Sequence, residues 1–438
     1  MRKGVGLVIV FVFLAACMII TMPTSASAEE TENTWMSKTP MHVARDNLGV
    51  AVVGGKIYAI GGYDSSGDLG TNEEYDPVTD TWVFKASMLV PSSGFATAVY
   101  EGKIYCIGGR MNQVYDPAND LWENKTAMPT SRSFMKAHVV GGKIYLIGGT
   151  VPDNMSILGF RNLAVNEAYD PATDSWITKT PMPNTTGASA SATVDNKIYI
   201  IGREAVSSLN NLNQMYDPQT DSWNRGSPPP PSELVAAGAT TSVYAPERIY
   251  FCYGSLFYDP VNDSWGAIAD VPTGRFGMAV AVLNDKLYAI GGSQVMGEWV
   301  VGYNYKVTYK DTVEEYTPYG YGTVPPAVHV ISLENNKTYS GTAIDLNFTV
   351  NKPVTWLGYS LDGQDNVTIN GNTTVTGLAG GLHNVTVYAK DSFENMGNSE
   401  TIFFSAAEPF PTTWAIASII PLAIACLGLL IYFKKRRH

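Results

Sequence analysis

The sequence predicts an all-β protein, a six-bladed β-propeller followed by a small β-sandwich and one C-terminal transmembrane helix. One strand-like segment, first seen as "GGKIYAIGG", recurs at intervals of 38 to 54 residues, and a turn-like segment ending in tryptophan recurs with it. Repeats of this length are typical of solenoids and propellers. An uncharged apolar run near the C-terminus indicates the helix.

Residues 1–28 are predicted to be a secretory signal peptide. They have a basic start, an apolar run and small residues at 26–28, just before Glu29. An alternative is that "LAAC" is a bacterial lipobox, which would leave Cys17 lipidated at a new N-terminus. The apolar run continues past Cys17 and a second anchor would be redundant, so cleavage after Ala28 is the preferred interpretation.

Six repeat units follow, and each has a strand that begins at a basic residue: Lys56, Lys103, Lys143, Lys197, Arg248 and Lys286. The strands are apolar on both faces, as expected for a sheet between two neighbouring sheets. Five units continue into segments such as "YDPVTDTW", in which Asp and Pro favour a tight turn. The double glycine, the Tyr-Asp-Pro and the Trp together resemble the kelch repeat, from about residue 33 to residue 320.

The sixth unit lacks the turn Asp and the Trp, while an orphan "TENTW" precedes the first unit. We therefore expect residues 29–324 to form a closed kelch propeller in which the N-terminal strand completes the sixth blade, the closure that the resemblance implies. The fourth and fifth units depart from the pattern. Arg203 replaces the second glycine in the fourth, and the fifth keeps only Gly254.

Residues 325–406 alternate apolar and polar residues in short runs, which predicts a β-sandwich stalk. The stretch "YSLDGQDNVTINGNTTVTGLAGGLHNVTVYAKD" resembles the immunoglobulin-like stalk modules of archaeal surface proteins. In an exported protein the nine N-x-Ser/Thr sequons are candidate glycosylation sites, although Asn and Thr are also common in β-rich surface domains. The sequon asparagines are Asn124, Asn154, Asn184, Asn262, Asn336, Asn347, Asn366, Asn372 and Asn384.

The apolar run at 413–433 is long enough to cross a bilayer, and the basic tail at 434–438 is expected to stay in the cytoplasm. This predicts a single-pass cell-membrane protein with its N-terminal domains outside the cell. Six of the 29 basic residues lie in the two end segments, so 23 basic residues face 40 acidic ones outside, a formal charge of −17. Nucleic acid is therefore not an expected partner.

Candidate ligand-binding residues lie on the propeller face with the variable loops, where function usually resides. The candidate arginines, which offer bidentate contacts to carboxylates, are Arg45, Arg110, Arg132, Arg161, Arg203 and Arg275. The candidate aromatic residues are Phe160, Trp299, Tyr303 and Tyr305. Arg45, Arg132 and Arg275 each precede the strand lysine by eleven residues. Some kelch domains use arginines near such positions to hold acidic peptides, whereas pairing with a neighbouring acidic residue is the structural alternative.

Catalytic and metal-binding patterns are weak. The external histidines are scattered, so the sequence nominates no catalytic residue, metal site or cofactor. Cys106 and Cys252 lie in strand-like runs of distant repeats and are expected to be buried single thiols. The predicted function is extracellular recognition or adhesion through binding of a protein or glycan, with acidic ligands included. The alternatives are a kelch-type enzyme acting on surface carbohydrate, of the sialic acid epimerase or carbohydrate oxidase class, and a structural envelope component.

Overall fold

The computed structural model describes residues 31–156, 159–204, 211–231, 234–296 and 306–407. Every regular element in these ranges is a β-strand, so the predicted all-β class is confirmed. Within the same ranges there is no helix of the length and apolarity needed to cross a membrane. The predicted signal peptide (1–28) and transmembrane helix (413–433) lie outside the described residues.

Residues 34–317 form, in the described chain, six antiparallel sheets of four strands. We number the sheets 1 to 6 by the chain order of their inner strands, which are Gly49–Val53, Ala96–Tyr100, Lys136–Val140, Thr186–Val194, Val235–Ala239 and Ala279–Leu283. The second strands are Lys56–Ile60, Lys103–Gly108, Lys143–Ile147, Lys197–Glu204, Ile249–Tyr253 and Lys286–Ile290. The third strands are Asn72–Asp76, Met111–Asp116, Asn166–Asp170, Asn211–Asp217, Leu256–Asp259 and Val313–Thr317. The outer strands are Thr81–Lys85, Leu121–Asn124, Ser175–Thr178, Ser222–Arg225, Ser264–Ala267 and, for sheet 6, Thr34–Lys38.

The inner strands contact one another in cyclic order, and sheet 6 returns to sheet 1. A buried apolar cluster fills the space between each pair of neighbouring sheets. In sheet 1, Ile57 and Ala59 pack toward sheet 6, whereas Tyr58 and Ile60 pack toward sheet 2. Each sheet is thus covered on both sides by its neighbours, which explains why its second strand is apolar on both faces.

A repeated set of hydrogen bonds, which we call the inter-sheet latch, joins each sheet to the one before it. In sheet 2 the Tyr115 hydroxyl donates to Asp120 (2.5 Å), and the same carboxylate oxygen accepts from the Ala86 amide of sheet 1 (2.8 Å). The Trp122 indole N–H donates to the Ala86 carbonyl oxygen (2.7 Å). The equivalent aspartates in the other sheets are Asp80, Asp174, Asp221 and Asp263. All have a positive φ, which Asp tolerates better than most residues. The Tyr-Asp-Pro and Trp marker thus encodes the contact between sheets.

Sheet 6 obtains its latch from the N-terminal segment. Asn33 Oδ1 accepts hydrogen bonds from the Tyr316 hydroxyl (2.9 Å) and the Ala269 amide (2.7 Å), as the aspartate does elsewhere. The Trp35 indole N–H donates to the Ala269 carbonyl oxygen (2.9 Å). The strand that carries Trp35 pairs antiparallel with the third strand of sheet 6. Residues near the two ends of the ring therefore form one sheet.

The two ends of the ring carry different connections. One end, the turn face, holds the connections between inner and second strands and between third and outer strands. The other end, the variable face, holds the connections between second and third strands and those between successive sheets. Three hairpins extend the variable face: Tyr63–Asp64 with Gly67–Asp68, Thr150–Pro152 with Phe160–Asn162, and Ser293–Met296 with Lys306–Tyr309.

Residues 328–407, which we call the C-terminal β-unit, form separate sheets around their own core. A six-stranded sheet has the order Lys337–Ser340, Ile402–Ala407, Gly381–Lys390, Trp356–Leu361 and Val367–Ile369, and its sixth strand, Met396–Asn398, pairs with Gly381–Lys390. Two-stranded pairs are Val328–Val330 with Phe348–Val350, and Ala343–Leu346 with Thr373–Thr376. Leu346, Val385 and Phe404 are among the fully buried residues of this core.

The C-terminal β-unit contacts the turn face of the ring through a polar joint. The buried Lys352 ammonium pairs with Asp391 (2.8 Å) and donates to the Val324 carbonyl oxygen. It also lies 5.2 Å from the ring centre of Tyr244, in the connection between the inner and second strands of sheet 5. The Asn395 amide donates to the Gly322 carbonyl oxygen (2.6 Å). The joint leaves the variable face at the opposite end of the ring.

The connection before the second strand of sheet 5 differs from the Gly-Gly turns at the same place in sheets 1 and 3, and it contributes to this joint. This turn is enlarged, and four of its backbone N–H groups, at residues 241 and 243–245, donate to the buried Asp285 carboxylate at 2.6–3.0 Å. Four such bonds fix the loop, because a carboxylate accepts several N–H donors well. The enlarged turn thereby presents Tyr244 to Lys352.

Candidate functional site

The three repeat-equivalent arginines are buried in the structure: Arg45 is 0%, Arg132 2% and Arg275 1% exposed. Arg132 donates to Glu167 (2.5 Å) and to three backbone carbonyl oxygens at 2.8–2.9 Å. Arg45 and Arg275 pair in the same way with Glu73 and Glu314. Burial lowers the pKa of Arg45 and Arg132, and the paired glutamates oppose this shift. The prediction that these three residues contact a ligand is therefore corrected, since their guanidinium groups are buried and directed into the protein. Each arginine instead stabilises its own sheet, by bonding a glutamate and backbone carbonyl oxygens, and we call this the bracing role.

A sequence signal for this bracing exists, although the prediction did not use it. Sheets 1, 3 and 6 have Glu two residues before the third-strand tyrosine, and these are the sheets with the arginine. Sheets 2 and 4 have Gln113 and Gln214 at that position and no arginine. There the glutamine side chain both accepts from the backbone N–H and donates to the backbone carbonyl oxygen of one residue. That residue is Val90 for Gln113 and Asn184 for Gln214. Glutamate and arginine thus occur together.

The other predicted ligand-binding residues divide into two groups. Arg110, Arg161 and Phe160 are exposed on the variable face, and Phe160 retains 40% of its surface. Arg161 and Phe160 lie together in the sheet 3 hairpin. Arg203 lies in the second strand of sheet 4. The remaining predicted aromatics, Trp299, Tyr303 and Tyr305, lie outside the described residues.

A line of backbone hydrogen bonds joins four sheets at the inner edge of the variable face. The Asn47 amide donates to the Gly277 carbonyl oxygen (2.8 Å), the Gly94 amide to that of Asn47 (2.9 Å), and the Phe134 amide to that of Gly94 (2.7 Å). All four residues have a positive φ, at 50–62°. A β-carbon on Gly94 would come within 2.9 Å of the Phe134 ring. These hydrogen bonds thus fix the backbone at the entrance of the ring, and the Phe134 ring packs against Gly94.

Five aromatic residues, which we call the aromatic rim, lie near this entrance on the variable face: Tyr63, Phe134, Tyr253, Phe276 and Tyr309. Phe134, Phe276 and Tyr63 are 53%, 49% and 41% exposed. The Tyr253 and Phe276 rings are 5.3 Å apart, and those of Tyr63 and Tyr309 are 6.2 Å apart. The prediction did not include these residues. A usable signal was the pair of phenylalanines directly before the inner strands of sheets 3 and 6.

One acidic residue lies beneath the rim. Asp46 accepts hydrogen bonds from Ser293 Oγ (2.7 Å) and Asn47 Nδ2 (3.0 Å), and thereby joins sheet 1 to sheet 6. Burial raises the pKa of Asp46, and these two hydrogen bonds counteract the shift. With the three arginines neutralised by glutamates, this part of the entrance offers aromatic surface more than positive charge.

Other candidate chemistry is dispersed. The described residues contain no group of three or more His, Cys, Asp and Glu side chains arranged to hold a metal. His42 bonds Glu73 and His383 bonds Asp362, each at 2.7 Å. Cys106 and Cys252 are buried free thiols, as predicted, and burial raises the pKa of Cys252 to about 12.

The nine sequon asparagines all lie in the described chain. Those that are exposed are Asn124, Asn154, Asn262, Asn336, Asn366 and Asn372, and those that are half-buried are Asn184, Asn347 and Asn384. The side-chain nitrogen of Asn262 donates to Asp259 (3.0 Å), so its modification would break a turn contact.

Comparison with known proteins identifies the repeats. A family model described as the kelch motif matches residues 44–89, 91–129 and 131–183. The chain is 27% identical to mouse Kelch-like protein 35 over 144 residues, 32% of this chain and 25% of that protein. It is 36% identical to halomucin of Haloquadratum walsbyi over 98 residues, 21% of this chain and 1% of that protein. It thus matches a quarter or less of either relative's length. The solved structure of YjhT covers 63% of this chain and 96% of its own, with 16% identity and a TM-score of 0.48. The chain carries kelch motifs over residues 44–183, within an all-β propeller structure.

Proposed function

We propose that this chain is a membrane-anchored extracellular recognition protein. In this proposal a six-bladed kelch propeller binds a protein or glycan through its variable face. An immunoglobulin-like sandwich, the C-terminal β-unit, carries the propeller as a glycosylated stalk, and the helix predicted at 413–433 anchors it in the cell membrane.

The observation that carries the proposal is the aromatic rim. Half-exposed aromatic side chains on a fixed backbone lose little conformational entropy on binding, and they offer apolar surface with polar edges. Such groups are enriched in protein interfaces. The joint supports the same proposal, because it occupies the turn face and leaves the rim open at the other end.

The experiment uses the purified full-length protein on protein and glycan arrays, followed by surface plasmon resonance with the ligand found. Phe134→Ala combined with Phe276→Ala should weaken binding at least about tenfold, because aromatic anchors commonly contribute 2 kcal/mol or more each. The matched control is Val78→Ala with Val261→Ala, two turn-face side chains that are 90% and 86% exposed. Unchanged affinity in the rim variant, or no ligand on either array, would reject the proposal.

A further inference from the structure

The inner strands line the central channel of the ring, and their side chains are mostly small and uncharged. Five of the six contain no charged residue. The exception is Lys136–Val140 of sheet 3, which begins with Lys136 and also contains His138. Lys136 follows the rim residue Phe134 by two positions, so it lies just inside the entrance from the variable face. It is half-buried. Its side chain lies on the strand face that is turned toward sheet 4, as those of His138 and Val140 do, and part of its surface remains exposed.

Lys136 differs from the fully buried cations of the described chain in having no carboxylate partner. Arg45, Arg132, Arg275 and Lys352 each form an ion pair with a buried carboxylate. No carboxylate of the described residues lies within ion-pairing distance of the Lys136 ammonium. Burial alone lowers the pKa of Lys136, to about 8, and no neighbouring acid raises it. An ammonium group in such a place is destabilising unless something pairs with it.

Three uncharged polar side chains, those of His138, Ser191 and Thr193, lie beside this ammonium group, and we call them the polar wall. His138 lies on the same face of the strand as Lys136, because strand side chains alternate. Its ring nitrogens contact Ser191 Oγ (2.8 Å) and Thr193 Oγ1 (2.9 Å) of sheet 4. Burial, with a smaller effect of Lys136, lowers the pKa of His138 to about 3, so the ring is uncharged at neutral pH. The wall supplies polar groups without a negative charge to compete for Lys136.

We propose that the channel beside Lys136 is a binding site for a monovalent anion, either a free halide or the carboxylate of an acidic sugar. The Lys136 ammonium is the counter-charge, and the hydroxyl-lined wall replaces part of the hydration that the anion loses on entry. This site goes beyond the proposed function, because it requires no partner at the aromatic rim.

The test measures the pKa of Lys136 by NMR in full-length protein with isotope-labelled lysine side chains. The Lys136 signal is assigned by its loss in Lys136→Met. Sodium bromide is the probe for a free halide, and sodium glucuronate is the probe for a sugar carboxylate, with glucose as its neutral control. Lys103, a partly exposed lysine of sheet 2 that lies 3.8 Å from two carboxylates, reports the general effect of added salt on a surface lysine in the same spectra.

A bound anion should raise the pKa of Lys136 by about one unit or more, whereas that of Lys103 should change little. A rise with bromide assigns the site to free halide, and a rise with glucuronate but not glucose assigns it to a sugar carboxylate. If Lys136 moves no more than Lys103 with either probe, the anion site is rejected. That result would leave the rim proposal untouched, since the rim variants are read by ligand affinity.

Discussion

At the scale of single residues, the arginines show how spacing alone can mislead. Their equal sequence spacing from the strand lysine reflects a structural role that is repeated in three sheets, and not a shared ligand. Spacing locates a residue on a face and does not reveal whether its side chain points outward or inward. These arginine side chains point inward because each has a buried glutamate partner in its own sheet. The partners are Glu73, Glu167 and Glu314.

Arg132→Ala should destabilise the fold strongly. The change leaves Glu167 buried without its partner and removes the donors to three carbonyl oxygens, which together should cost about 3–5 kcal/mol. Urea unfolding of the full-length protein measures this. Arg110→Ala is the control, because that side chain is exposed, and it should change the free energy of unfolding by less than about 0.5 kcal/mol. Equal, small effects of the two changes would contradict the bracing role.

Lys136→Met should be more stable than the natural protein at neutral pH, by roughly 1–2 kcal/mol for a half-buried group. The folded pKa of about 8 lies below the ordinary value of 10.5, so the unfolded chain binds more protons between these values. The stability of the natural protein should therefore rise relative to the variant as pH increases from 8 toward 10.5. Unfolding at a series of pH values in low-anion buffer checks this. A difference that does not depend on pH would place Lys136 in an unperturbed environment.

At the scale of strands and turns, the sequence was most informative. The Tyr-Asp-Pro and Trp marker predicted tight turns, and the structure shows that its Tyr, Asp and Trp also hold neighbouring sheets together. The enlarged turn of sheet 5 was not predicted, since the departure seen in that repeat, the single Gly254, lies after the second strand and not before it. The turn is held by Asp285, 40–44 positions later, and it contacts Lys352 of the C-terminal β-unit, and no local pattern contains either contact.

Asn33→Ala should weaken the closing latch. It removes the acceptor for Tyr316 and for the Ala269 amide, and the donor to the Tyr319 hydroxyl (2.6 Å). Loss of these bonds should lower the free energy of unfolding by about 2–3 kcal/mol. Asn124→Ala, at an exposed asparagine of the sheet 2 outer strand, is the control. If the two variants unfolded at the same urea concentration, the N-terminal segment would not be needed for closure.

At the scale of the whole molecule, the joint fixes which end of the ring remains open. Its ion pair, hydrogen bonds and ring contacts all involve the turn face, so the C-terminal β-unit and the aromatic rim lie at opposite ends. Repeat patterns could not predict this, because the joint is formed by residues that occur once in the chain.

Lys352→Met should loosen the joint, because Asp391 is left buried without a cation. We expect a loss of about 3–5 kcal/mol and faster hydrogen exchange in residues 319–326 and 391–397. Lys390→Met, which removes only a surface pair with Glu394, should do neither. Faster exchange in both variants, or in neither, would contradict a joint held by the buried pair.

The most direct test of the central claim is hydrogen–deuterium exchange of the full-length protein with and without the ligand found on the arrays. We expect protection in the segments that carry the variable face, around residues 45–48, 92–95, 132–135 and 274–277. Exchange in the turn-face segments 77–80 and 260–263, and in the C-terminal β-unit, should be unchanged. Protection of the turn face or of the C-terminal β-unit, with the variable face unaffected, would show that recognition takes place elsewhere.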